Sequence, residues 1–128
     1  MKMVAFSVFR GKDFESIRTP EGEITPIFVN EHISISKLNL PPKLSVPPHS
    51  HGFNVVAVVA KGRLEILHES RKTVLEEGDV FFAPAGTKIG ISNPSQEVAE
   101  ILCISYPPTC KSVEELKKIL KSFSGVKE

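Results

Sequence analysis

The sequence is poor in the features that mark several classes of protein. It has no tryptophan and only two cysteines in 128 residues. Two cysteines cannot build the disulfide framework of a small secreted domain, so we expect Cys103 and Cys110 to be thiols in a reducing compartment. The net charge is +1, which argues against nucleic-acid and anionic-membrane partners. The apolar run before Arg10 is too short for a signal-peptide core or a membrane span, so we expect a cytoplasmic protein.

Turn-forming residues, by contrast, are frequent. Ten prolines and eight glycines divide the chain into short runs rich in Val, Ile and Phe, a pattern typical of β-strands. This spacing favours one domain over 1–128, built as an all-β sandwich or barrel. The predicted strands are Val4–Phe9, Ile24–Val29, His32–Leu40, Phe53–Ala60, Leu64–His68, Thr73–Leu75, Val80–Ala83, Lys88–Ser92 and Val98–Ser105.

A single helix is predicted, near the C-terminus. Ser112 with Glu115 three residues later forms a capping-box pattern. Apolar residues then recur at helical spacing from Val113 to Phe123, lysines occupy the other side, and Gly125 follows. We therefore expect a helix at about 112–124, with its apolar stripe on the body of the protein or on a partner subunit.

Two motifs lie in the centre of the chain. HSHGFNVVAVVAKG begins at His49, and on an extended chain His49 and His51 point to the same side. GDVFFAPAGTKIGISN begins at Gly78. Both motifs resemble those of the cupin superfamily, with seven positions at the family's spacing: His49, His51, Gly62, Gly78, Pro84, Gly86 and Asn93.

The resemblance implies a fold, a quaternary structure and a metal. The fold is a double-stranded β-helix, or jelly-roll barrel, with core motifs at 49–93 and the short C-terminal α-helix added. Small members are often homodimers, and Val4–Phe9 and the terminal helix offer apolar surface for one. Family members bind one divalent metal through two histidines, a carboxylate and a third histidine.

This sequence departs from that ligand set at two positions. Val55 stands where the resemblance places the carboxylate, and Ile89 stands where it places the third histidine. Two neutral imidazoles alone leave a divalent cation without an anionic partner, which is costly in an apolar cavity. The matched positions therefore predict an incomplete metal site, holding either no ion or a weakly bound one.

Other side chains could complete the site. Cys103 on the last strand could add a thiolate, and two imidazoles with a thiolate suit copper better than manganese or magnesium. A free cysteine, however, is more often a small buried hydrophobe. His32 is expected at the surface at a strand start, and His68 at the tip of a hairpin. Asn93 is expected to be a turn residue.

Two functions follow, and the sequence leaves both open, together with a third class, an assembly or interaction protein in which the barrel is only a scaffold. In the first, the barrel interior binds a small, mostly apolar molecule without catalysis. In the second, the protein is a metal-dependent enzyme, an oxygenase or isomerase acting on a small organic substrate, with His49 and His51 joined by ligands from outside the family pattern. The residues predicted to line the pocket are His49, His51, Phe53, Val55, Phe82, Ile89 and Cys103.

Overall fold

The computed structural model describes residues 5–124 and contains ten strands and one α-helix. A 3-10 turn at Gly11–Asp13 precedes the first strand. The strands are β1 (Ile17–Thr19), β2 (Gly22–Val29), β3 (Ser34–Leu40), β4 (Ser45–His49), β5 (Asn54–Lys61), β6 (Arg63–His68), β7 (Arg71–Glu76), β8 (Val80–Ala83), β9 (Ile89–Ser92) and β10 (Ala99–Tyr106), and the helix is α1 (Val113–Ser124).

The strands form two antiparallel sheets with a core between them. The larger sheet has the order β1-β2-β3-β10-β5-β8, and the smaller has the order β4-β9-β6-β7. Side chains from both sheets meet in one buried cluster, and alternation along each strand directs every second residue into it. The all-β prediction is confirmed. The fully or nearly fully buried members of the cluster are Leu40, Ala57, Val59, Leu64, Ile66, Ala99 and Ile101.

The C-terminal helix has the predicted bounds and packs against its own subunit. Leu116 and Leu120 are buried against Ile17 of β1 in a second, smaller cluster. Lys117 and Lys121 form ion pairs with Glu15, at 3.3 and 3.2 Å. Leu116 and Leu120 of the apolar stripe of α1 are therefore used within the chain, whereas Ile119 is exposed. Gly125, expected after the helix, lies outside the described residues. No helix in the described part of the chain, residues 5–124, is long and apolar enough to cross a membrane.

The predicted capping box is present in modified form. The Glu115 backbone N–H donates to the Ser112 hydroxyl at 3.0 Å, as expected. The Glu115 carboxylate accepts instead from the backbone N–H of Lys111, at 2.7 Å. The first interaction satisfies an N–H group that the first turn of a helix leaves without an intrahelical partner, and the second ties the residue before the cap to that turn.

Loss of the Ser112 cap should have a small, measurable effect. We expect Ser112→Ala to lower the free energy of unfolding by about 1 kcal/mol, because one helical N–H loses its acceptor. Thermal unfolding followed by circular dichroism would measure this. Ser122→Ala is the control, since the Ser122 hydroxyl donates only to the Ile119 carbonyl inside the helix. Equal losses in the two variants would contradict the assignment of the cap.

Three features of the strand prediction were wrong. Residues 5–9 form no strand, and Val4 lies outside the described residues. Short strands at Ile17–Thr19 and Ser45–His49 were missed. The second contains Pro47 and Pro48, which sequence reasoning excludes from sheet interiors; β4 tolerates them because it is the edge strand of the smaller sheet.

Asn93 was also misjudged. It was expected to be a simple turn residue, but it is fully buried. Its amide nitrogen donates to the carbonyls of Leu40 and Glu97 at 2.9 and 2.7 Å. Its amide oxygen accepts from the backbone N–H and the hydroxyl of Ser95, at 3.0 and 2.8 Å. The side chain thus closes the β9–β10 connection onto the end of β3.

Candidate metal site at the barrel mouth

His49 is positioned by the end of β4 and by its own backbone. The β4–β9 pairing is irregular between Val46 and His49, and His49 then pairs with Ile89 of β9. The His49 Nδ1 lies 3.1 Å from the carbonyl oxygen of Pro47. A carbonyl can only accept, so Nδ1 carries a proton, and the tautomer with its single proton there has a lone pair at Nε2.

Glu21 faces that lone pair from the β1–β2 turn. Its Oε2 lies 3.1 Å from His49 Nε2. The turn is held by the Thr19 hydroxyl, which accepts from the Glu21 N–H and donates to the Gly22 carbonyl, at 3.1 and 2.8 Å. Gly22 has φ +110°, and a Cβ there would lie 2.5 Å from the Asn39 carbonyl oxygen. Only glycine lets the hairpin lie this close to β3.

His51 completes a group of three residues that we call the mouth cluster: Glu21, His49 and His51. The ring centroids of the two histidines are 4.8 Å apart and nearly perpendicular. On its other face His51 stacks on Phe53, at 4.7 Å and 18°. The backbone carbonyl of His51 accepts from the Gly86 N–H at 2.9 Å, which ties this loop to the β8–β9 connection.

The electrostatics of the cluster favour a neutral His51. Partial desolvation lowers the pKa of His51; the Glu21 carboxylate acts in the opposite direction with a smaller effect, and His49 adds to the lowering. A neutral imidazole is the form that binds metal ions.

The contact between Glu21 and His49 requires a positive charge between the two atoms. His49 Nε2 is buried and has no hydrogen-bond partner of acceptable geometry, although the carboxylate oxygen is close. A lone pair facing an anionic oxygen is unfavourable unless a proton or a cation lies between them. The second nitrogen of His49 meanwhile bonds a backbone carbonyl, which is the usual outer-shell arrangement of a metal-binding histidine.

These residues fit a divalent ion. The three ligand atoms, one from each residue of the mouth cluster, lie within 4.8 Å of one another. Two atoms that each bind one zinc ion at about 2.0–2.2 Å are about 3.0–3.5 Å apart, as the Glu21–His49 pair already is. Binding would draw the third ligand inward, and the exposed position of His51 leaves its side chain room to rotate.

The structure thus supplies the carboxylate that the sequence motif lacked. The absence of an anionic partner was inferred because Val55 occupies the family position. The carboxylate is instead that of Glu21, which lies 28 residues before His49 in a hairpin whose sequence has no metal-binding pattern. The only signal in the sequence was the Gly after Glu21, which predicts a tight turn but not what the turn approaches.

Val55 and Ile89 take structural roles. Both pack against the main buried cluster. Ile89 lies beside His49 across the β4–β9 pair, so the second motif is aligned as the resemblance requires. The two aliphatic side chains extend the core at the positions where the family pattern has ligands.

Cys103 does not join the mouth cluster. Its side chain packs against the main core, and its sulfur is not among the clustered ligand atoms. Burial, with a smaller contribution from the Glu21 carboxylate, raises the pKa of the Cys103 thiol to about 12. It is therefore a protonated thiol at neutral pH, a poor metal ligand. Both cysteines are free, as expected.

Phe82 was assigned to the interior, and this was wrong. It is 55% exposed and pairs with Val56, whereas its neighbours Phe81 and Ala83 pair with Ala57 and Val55 on the inner face. Strand alternation places Phe82 on the outside. His32 and His68 are exposed, as predicted, and neither belongs to the mouth cluster.

The sequence matches the cupin domain family over residues 36–105. The chain belongs to the cupin family. A curated relative, an uncharacterized protein of Aquifex aeolicus, is 36% identical over 110 residues, which cover 82% of this chain and 90% of the relative.

Solved structures agree on the fold of this cupin. KdgF from a Halomonas species superposes with a TM-score of 0.71 at 19% identity, covering 80% of this chain and 94% of that one. A predicted oxalate decarboxylase from Thermotoga maritima gives 0.70 at 20% identity, covering 78% and 98%. At these identities the likeness establishes the cupin barrel alone.

Proposed function

We propose that this cupin is a metal-dependent protein that acts on a small organic molecule at the barrel mouth. One divalent transition-metal ion would be held by Glu21, His49 and His51. The observation that carries the proposal is the Glu21 Oε2 to His49 Nε2 distance of 3.1 Å, in a pair whose nitrogen has no hydrogen bond. This is the second of the two functions that the sequence left open, with Glu21 as the ligand from outside the motif.

The ligand set narrows the choice of metal and chemistry. Two imidazoles and one carboxylate are the set used by non-haem iron sites and by three-ligand zinc sites, both of which leave positions for other molecules. When bound, such an ion polarises an oxygen atom of the substrate. Copper was favoured only if Cys103 supplied a thiolate. Because the Cys103 thiol is protonated and lies outside the mouth cluster, that reason no longer applies.

The chain's own residues set the charge and shape of the site. A divalent ion with one carboxylate and two neutral rings carries one net positive charge, so it favours a substrate with an anionic oxygen, such as a carboxylate or an enolate. His51 and Phe53 form an aromatic wall beside it. Since His51 is exposed, substrate can approach from solvent.

Binding of an apolar molecule in the interior has less support. Three of the side chains expected to line that pocket, those of Val55, Ile89 and Cys103, pack against the buried cluster. Phe82 faces outward. A charged site at the mouth also accounts for Glu21, which an apolar binding site would not use.

Metal titration of chelator-treated, untagged protein tests the proposal. We expect calorimetry to show one equivalent of Zn²⁺, Mn²⁺ or Fe²⁺ bound per chain. His49→Ala should lower the metal affinity by at least about 100-fold, which is more than the loss of an outer-shell hydrogen-bond partner causes. His68→Ala is the matched control, because His68 is exposed and outside the cluster. Turnover of small carboxylates should depend on the added metal.

Two results would contradict the proposal. One is wild-type protein that binds none of these ions. The other is a His68→Ala variant that loses as much affinity as His49→Ala, which would assign the binding to scattered surface histidines.

A further inference from the structure

Three serines lie on the inner face of the larger sheet, where apolar side chains are expected. Ser34 and Ser36 occupy alternate positions on β3. The same face continues at Leu38, which packs against the main buried cluster, and at Leu40, which belongs to it. Ser105 of β10 pairs directly with Ser34. We call these three hydroxyl-bearing residues, Ser34, Ser36 and Ser105, the serine wall.

The hydroxyl of Ser34 is buried without a hydrogen bond. The residue is only 4% exposed, and its side chain makes no hydrogen bond to any residue within 5–124. Among those residues only Asn39 Oδ1 and His49 Nε2 are both fully covered and without a partner, so Ser34 Oγ still borders a space that admits a water-sized group. A buried hydroxyl is costly unless a partner satisfies it. That partner must come from outside the described chain, as water or as a ligand.

The serine wall lies at the end of the barrel that holds His51. Ser105 pairs with Val55 on its β5 side, and Asn54 precedes Val55 at the start of β5. The Asn54 amide oxygen accepts from the Ala85 N–H at 2.9 Å, in the same connection that donates to the His51 carbonyl. The wall therefore begins one residue inside the loop that carries His51.

Glu21 approaches the serine wall from its other side. Cys103 pairs with Ser36 on the inner face, and the Glu21 carboxylate is close enough to that thiol to contribute to the rise in its pKa. Both the loop of His51 and the carboxylate of Glu21 are thus near the wall. A molecule of a few carbon atoms can reach from the mouth cluster to the serine hydroxyls.

We propose that the serine wall binds hydroxyl groups of the substrate, which is then a small carboxylic acid with additional hydroxyl groups. The inference rests on the proposed function, in which the metal ion attracts the carboxylate end. A serine hydroxyl both donates and accepts hydrogen bonds, as does the hydroxyl group of a ligand. An apolar substrate would leave Ser34 without a partner, and a site built to bond a hydroxyl discriminates against analogues that lack it.

A matched pair of acids tests the inference by calorimetry on zinc-loaded protein. Glycerate and lactate both carry a carboxylate with an adjacent hydroxyl, so they can chelate a metal ion alike, and only glycerate has a second hydroxyl. We expect wild-type protein to bind glycerate about 10-fold more tightly than lactate, the effect of one or two hydrogen bonds. Ser34→Ala should reduce this preference to about 2-fold while leaving the affinities for lactate and Zn²⁺ unchanged.

Ser92→Ala is the matched control. Ser92 of β9 also has no side-chain hydrogen bond within the described residues, but it lies on the outer face of the smaller sheet. It pairs with Glu65, whereas its neighbour Ile91 packs against the main cluster. We expect this variant to keep the wild-type preference for glycerate.

Thermal stability gives a second readout that needs no ligand. Because the Ser34 hydroxyl is buried without a partner, Ser34→Ala should raise the Tm of the ligand-free protein by at least about 3 °C. A serine whose hydroxyl stabilises the fold would show the opposite change. Differential scanning calorimetry of the two proteins measures the difference.

The possible failures are distinguishable. Zinc-loaded wild-type protein that binds glycerate and lactate equally would overturn the inference and leave the metal site intact. A Ser34→Ala variant that keeps the full preference, or that unfolds at a lower temperature than wild type, would also overturn it. Protein that binds no metal ion contradicts the proposed function instead. The glycerate preference is then measured on metal-free protein, where its absence would reject the serine wall as well.

Discussion

Glu21→Gln should lower the affinity for a divalent metal ion by at least about 100-fold, beyond the range expected for an outer-shell change. The substitution keeps the side-chain length and removes its negative charge. The two imidazoles would then hold the ion without charge compensation, which is the unfavourable arrangement that the motif alone implied. Competitive titration against a metal-sensitive dye would measure the change.

Glu23→Gln is the matched control for this prediction. Glu23 lies two residues along, on β2, where it pairs with Arg18 and Asn39, and it is not part of the mouth cluster. We expect wild-type affinity. Equal weakening by both variants would mean that general surface charge, rather than ligation by Glu21, holds the ion.

Asn93→Ala should lower the free energy of unfolding by about 3 kcal/mol, equivalent to a fall in Tm of roughly 10 °C. The carbonyls of Leu40 and Glu97 lose the amide that donates to them, in one buried and one part-buried hydrogen bond, and a buried polar group without a partner is costly. Differential scanning calorimetry would give both quantities.

Asn30→Ala provides the comparison for Asn93. The Asn30 side chain is likewise hydrogen-bonded to the backbone, since its amide oxygen accepts from the N–H groups of His32 and Ile33 at 2.8 and 2.9 Å, but it is exposed. Water can replace it, so we expect a loss below about 1 kcal/mol. A loss at Asn93 no larger than that at Asn30 would show that its buried hydrogen bonds do not stabilise the β9–β10 connection.

Much of the fold was accessible from local pattern. The helix at 113–124 and the glycines at 62, 78 and 86, all of which adopt positive φ, follow from capping, periodicity and turn chemistry within a few residues. Strand β4 was missed because its prolines are acceptable only at a sheet edge, and edge position depends on the whole topology.

The candidate site was half predicted. His49 and His51 share a short motif, and the structure brings them together as that spacing implies. Phe82 was placed on the wrong side because apolar residues occur on both faces of β8. Alternation could separate the two faces only once the partner strands were known.

Sequence by itself determined the class of fold, the two histidines and the lack of a carboxylate in their motif, since each depends on residues close together in the chain. Tertiary structure alone brought Glu21 to His49 and separated the core face of the larger sheet from the outer face. Both results depend on which strands lie side by side, and strand pairing joins segments through backbone hydrogen bonds that carry no residue-specific signal.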